Sequence, residues 1–207
     1  MYSKDQLAVD RARDRDAVLA AASRLLHDHD GTNGRAGIGC LRARVSQAFD
    51  MPAASIDVEF KDDQALLAAT IGWLSRIHLR RQQVLADLLT AGDFQRWTHA
   101  ALVQSRTPGS VFGCELGWLA GQAFVAGHSR TLLDNTYCAW QWQLATALHG
   151  LERRGVISPG TDVQRLGATL LSLLQGAYMT ACRTGDLGVI AATFDAAART
   201  VINPPTW

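Results

Sequence analysis

Apolar side chains recur three and four residues apart along almost the whole chain, and nowhere does the alternation of a half-buried strand persist. That periodicity predicts an all-α fold. A first helix is expected over residues 6–29, burying Val9, Val18, Leu19, Ala22, Leu25 and Leu26, until the four glycines of 31–39 stop it. Two short helices, 40–49 and 53–60, then flank the turn Asp50-Met51-Pro52, with Pro52 suited to a first helical turn. Two short helices around a tight turn make a helix-turn-helix candidate. Asp62 and Asp63 suit the positive end of a long connecting helix, which carries Leu66, Leu67, Ile71, Leu74, Ile77, Leu85 and Leu88 as far as Gly92. Further helices are expected over 93–105, 114–126, 129–154, 162–184 and 187–202. Thr107-Pro108-Gly109, Ser158-Pro159-Gly160 and Gly185 act as breaks, and Asp162 as a cap.

Composition narrows the class further. With 48% apolar and 19% charged residues, the chain can bury a core and lacks the signature of disorder. Its apolar runs fall well short of the roughly 20 residues that span a bilayer. The Asp- and Arg-rich start has no secretory pattern, so a cytoplasmic protein without a membrane partner is expected. Cys40, Cys114, Cys138 and Cys182 are scattered, which fits buried free thiols better than zinc ligation or a disulfide framework. The net charge of +1 supplies no general pull toward nucleic acid.

From 50 to 67 the sequence reads Asp-Met-Pro-Ala-Ala-Ser-Ile-Asp-Val-Glu-Phe-Lys-Asp-Asp-Gln-Ala-Leu-Leu, and from 113 to 120 Gly-Cys-Glu-Leu-Gly-Trp-Leu-Ala. Together with the order of helices and loops, these runs resemble the TetR family of bacterial regulators over nearly the whole chain. The resemblance implies a helix-turn-helix reader over 1–61 and a ligand-binding and dimerisation domain over 62–207. It implies an apolar frame of Met51, Ile56, Phe60, Leu66 and Leu67 in the reader, and a dimer built on the last two helices around Gln175-Gly176-Ala177. DNA contact then falls to Arg42, Arg44, Ala53, Ala54, Ser55 and Lys61. Where the family pattern has Tyr, His and Lys beside phosphates, this chain has Asp57, Glu59 and Asp63, which would repel them. Residues 1–60 carry eight basic and nine acidic side chains, a net charge of −1.

The rings Trp73, Trp97, Phe112, Trp118, Phe124, Tyr137 and Trp140, with Gln141, are candidates to line a pocket for a small hydrophobic or aromatic ligand. Filling the core is the ordinary alternative for about half of them. Trp140 and Trp142 cannot share one helix face. No cofactor is implied, and no metal site: His27-Asp28-His29 sits at a helix end without ligand spacing.

Two functions follow. The first is a ligand-responsive repressor, released from DNA when ligand respaces its two readers. The second is a TetR-fold protein that has lost DNA binding and binds or transforms a small molecule. In its enzyme version it is an acid/base-assisted cyclase or isomerase, with Glu115, His99 and His128 as the candidate groups.

Overall fold

The computed structural model describes residues 4–27, 38–105, 115–122 and 124–202. Among them there is no strand, and the helices are α1 (Lys4–His27), α2 (Leu41–Phe49), α3 (Ala53–Glu59), α4 (Asp63–Arg81), α5 (Ala91–Ser105), α6 (Glu115–Ala120), α7 (Gly127–Arg153), α8 (Val163–Thr184) and α9 (Gly188–Ile202). The all-α expectation holds. Val9, the loop at 31–37, the break at 107–109, Phe112 and Cys114 lie outside what is described, Val9 by its side chain. No described helix is long and apolar enough to cross a membrane.

The chain divides into two compact units, Met1–Arg76 with Leu119–Leu133, and Ile77–Trp118 with Asp134–Trp207. In the first, α1 packs on α2 and α2 on α3. Val18, Leu19, Ala22, Leu25 and Leu26 form the buried stripe of α1, and Leu41, Val45, Ile56, Phe60, Leu66 and Leu67 complete that core. Apart from Ala22, each such side chain contributes about 1.5–3 kcal/mol when fully withdrawn from water. In the second unit α5 and α8 both pack on α9. Gly167 lets α8 approach α7, because a Cβ there would lie 3.3 Å from the backbone nitrogen of Ala145.

Helix ends follow local chemistry. Asp50 adopts the left-handed conformation (φ 50°) in the turn after α2, and its N–H bonds to the Ser46 carbonyl. The acid replaces a glycine because Asp tolerates this region better than most residues. Asp162 caps α8 by accepting from the Arg165 N–H at 3.0 Å, and Gly185 ends it at φ 71°.

Two expected boundaries are corrected. The connecting helix does not run to Gly92: α4 ends at Arg81, and Gln82–Asp87 tighten into a 3-10 segment before Leu88 turns extended. The reason is a reciprocal cap. Thr90 Oγ1 accepts from the Asp93 N–H at 3.1 Å, while Asp93 Oδ2 accepts from the Thr90 N–H at 2.8 Å and from Leu89 at 3.1 Å, which starts α5 two residues early. The Thr90 hydroxyl, ahead of the Leu89 and Thr90 amides and the Arg96 guanidinium, holds the Asp93 carboxyl below its ordinary range. Likewise α6 stops at Ala120 rather than near 126, its end satisfied by Arg130, whose Nη1 donates to the Ala120 carbonyl at 2.7 Å.

Candidate functional site

In the first unit the candidate reader is organised around Arg42. Cys40, in the left-handed region (φ 58°), gives α2 no side-chain cap. Asp63, at the start of α4, supplies one instead, accepting from the Arg42 N–H at 2.9 Å. The Arg42 side chain folds over the same acid, with Nε 3.4 Å from Asp63, and Nη1 lies 2.7 Å from Asp57 and donates to the Phe60 carbonyl at 3.1 Å. One guanidinium thus ties α2 to α3 and α4. Glu59 is paired as well, its carboxylate 3.5 Å from Arg15 Nε, and the Arg15 guanidinium stands 5.6 Å from the centre of the Phe60 ring. The three acids are therefore all ion-paired, Asp57 and Asp63 sharing Arg42 and Glu59 taking Arg15, which leaves one net negative charge among the five groups.

The other reader residues are placed differently. Arg44 Nη2 donates to the Leu25 carbonyl at 3.4 Å, reaching back to α1. Ala53, Ala54 and Ser55 are exposed in the first turn of α3, and Val58 further along it is 86% exposed. Lys61 projects into water, 3.9 Å from Asp62, whose carboxylate caps α4 through the Ala65 N–H. Lys61 also lines a groove of about 530 Å³ together with His128, where the starts of α4 and α7 come close.

The second unit holds a buried aromatic and polar cluster. The His78 and Trp140 rings meet edge to face with centroids 3.9 Å apart, and Tyr137 lies along Trp140 at 6.3 Å. Tyr137 donates to Gln175 Oε1 at 3.1 Å. Gly117 of α6 makes room for that carboxamide, since a Cβ there would overlap Gln175 Oε1. Trp140 is 2% exposed. Within the cluster three buried polar atoms, Trp140 Nε1, His78 Nε2 and Gln175 Nε2, have no hydrogen-bond partner among the described residues. Leaving such an atom unpaired costs about 1–3 kcal/mol. Burial, with a smaller contribution from Arg81, lowers the His78 pKa from 6.5 to about 4, so its imidazole is neutral near pH 7. The arrangement offers two N–H donors and a neutral imidazole among aromatic faces.

The remaining candidates spread across both units. Trp97 is buried against Phe94 at 5.3 Å and Phe194 at 6.4 Å, in the packing of α5 on α9. Trp73 and Phe124, both half-buried, belong to the first unit; Trp118 and Gln141, also half-buried, belong to the second. His99 is exposed on α5, Glu115 is half-buried at the start of α6, and His128 is exposed in the first unit, so neither histidine is withdrawn from water. His27, buried in the last turn of α1, has Nδ1 2.6 Å from the Ser23 carbonyl, while Asp28 and His29 lie outside the described residues. Cys40 and Cys138 carry free thiols and are exposed rather than buried, one preceding α2 and the other on the outer side of α7.

His78 is not among the pocket-lining residues expected from the sequence, and Gln175 was assigned to a dimer contact. The available signal for Gln175 was its place beside the buried Leu171, Leu174 and Ala177 of α8.

The chain is similar in structure to two solved regulators. Against the reduced form of NemR from E. coli the TM-score is 0.74 at 16% identity, covering 92% of this chain and 98% of that one. Against a TetR transcriptional regulator from Legionella pneumophila it is 0.67 at 20% identity, covering 97% and 98%. The sequence matches no protein-family model and no curated protein. The chain has the TetR-regulator fold along nearly its full length.

Proposed function

We propose that this chain is a homodimeric, ligand-responsive DNA-binding regulator whose ligand enters the His78, Trp140 and Gln175 cluster. The observation that carries the reading is that cluster: a fold shared end to end with transcriptional regulators holds, in its larger unit, three buried polar atoms without partners. A flat, mainly apolar molecule bearing a carbonyl or ether oxygen would accept from the indole and carboxamide N–H groups and regain those bonds. The neutral imidazole adds no charge that would demand an acidic ligand. The dimer is assigned to α8 and α9, where Leu173 (37%) and Met179 (42%) are exposed and a Cβ added at Gly176 would meet nothing within 4 Å. Sedimentation should give a dimer that Gly176→Leu converts to monomer; a wild-type monomer removes this part of the reading.

The direct test is a gel shift of the protein on the DNA upstream of its own gene at low salt. A retained complex that the cluster's ligand releases is the expected result, and no complex at any protein concentration sinks the regulator reading. A second reading has its own support in Arg42, whose charge is taken up by Asp57 and Asp63. In that reading the fold is kept without an operator, and the cluster binds or transforms a small molecule. Recovery of only unchanged compounds after incubation with candidate metabolites removes its enzyme version.

A further inference from the structure

We propose that a groove on the second unit, separate from the aromatic cluster, binds a nucleoside monophosphate, with guanine as the preferred base. The groove holds about 350 Å³ between the 3-10 segment and one side of α7. At one end stands Trp142, 64% exposed and, among the described Phe, Tyr and Trp side chains, the one left in water. An indole so placed is a platform for a planar ring.

Beside it, Gln82 and Gln143 present side-chain oxygens that are buried and accept from no donor among the described residues. Gln143 is oriented by its own Nε2, which donates to the Leu79 carbonyl at 3.4 Å, so its oxygen is the group left for a partner. Two unmet acceptors select a ring edge carrying two adjacent N–H donors. Among the nucleobases, guanine has that edge.

At the far end Arg153 and Arg154 line the groove, and Arg154 is held against the wall by donating to the Gly150 carbonyl at 2.8 Å. Paired guanidinium groups match a phosphate dianion in charge and geometry. The nearest acid on α7, Glu152, is engaged elsewhere: it accepts from the Gly160 N–H at 2.8 Å and lies 3.1 Å from His149 Nδ1. Among the described residues no Asp or Glu lines the groove. From Trp142 to Arg153 the helix rises about 16 Å. That is too long for a single ring with a carboxylate, and it fits base, sugar and phosphate once the arginine side chain reaches inward.

Calorimetric titration of the full chain with GMP, AMP, guanosine and inorganic phosphate tests the proposal. Saturable GMP binding is expected, with AMP, guanosine and phosphate each at least about tenfold weaker, a difference of about 1.4 kcal/mol. Arg153→Ala should weaken GMP by about tenfold and leave guanosine unchanged. Trp142→Ala should weaken GMP and guanosine alike. Both side chains are exposed, so neither change threatens the fold, which circular dichroism verifies. Absence of GMP binding overturns the proposal, as does phosphate binding as well as GMP, or an Arg153→Ala variant that binds GMP like the parent. DNA binding by the reader is measured separately and does not depend on this outcome.

Discussion

The Arg42 network, partly exposed, and the Trp140 cluster, buried, are both polar arrangements, and they are finished to different degrees. Around Arg42 every acid has a partner, and even the uncapped start of α2 is closed by Asp63. Around Trp140 three polar atoms remain unpaired among the described residues. A closed network holds elements in register but has little left to offer a ligand, whereas an open one is offset by stability elsewhere in the fold and has bonding capacity to spare.

The strongest way to break this contrast is Trp140→Ala. It should destabilise the protein by about 3–5 kcal/mol in denaturant titration, because a fully buried indole leaves a cavity. A loss under about 1 kcal/mol would mean that the cluster is not a packed core at all. Next comes pH. The His78 pKa is lowered in the fold, so the unfolded chain takes up a proton that the folded one refuses. Its contribution is complete above about pH 6.5 and disappears as pH falls toward about 4. The loss is about 3 kcal/mol. His78→Phe should flatten the stability profile across that window, and an unchanged slope would place the titration on another group.

Arg42→Met should cost about 1–2 kcal/mol, less than Trp140→Ala, because these pairs are partly exposed and screened. Melting in the presence and absence of salt checks it, and a cost as large as that at Trp140 would show the two regions to be more alike than their hydrogen bonding indicates. The smallest effect is a gain. Asp50→Gly should stabilise by about 0.5–1 kcal/mol, since the turn needs a left-handed residue. A lowered Tm would mean that the Asp50 carboxylate has a partner of its own.

Much of the fold was legible because helices announce themselves locally. The buried stripe of α1, the Asp162 cap and the Gly185 stop are each written within a few consecutive residues. The 3-10 segment was not, because Leu85 and Leu88 keep the helical spacing while the deciding contact is the Thr90 and Asp93 pair one turn further on. The site was less legible still. Arg42 meets Asp57 and Asp63 across 15 and 21 positions, a separation that periodicity cannot register, so these acids read as obstacles to phosphate when they are partners of arginine. Gln175 points inward only because Gly117 of another helix leaves it space. Trp140 and Trp142 could be set on different faces from their spacing, but which was buried and which exposed depended on the neighbours of α7.

The doubly held guanidinium of Arg42 also bears on how the reader would respond to ionic strength. Affinity for duplex DNA falls with salt in proportion to the cations that displace condensed counterions, each adding about 0.9 to the logarithmic slope. A guanidinium already balanced by two carboxylates displaces none. Arg42 should therefore add little to the salt dependence of any complex this protein forms with DNA, whereas the exposed Lys61 would add to it, and the exposed Ala53, Ala54 and Val58 surface would contribute shape rather than charge.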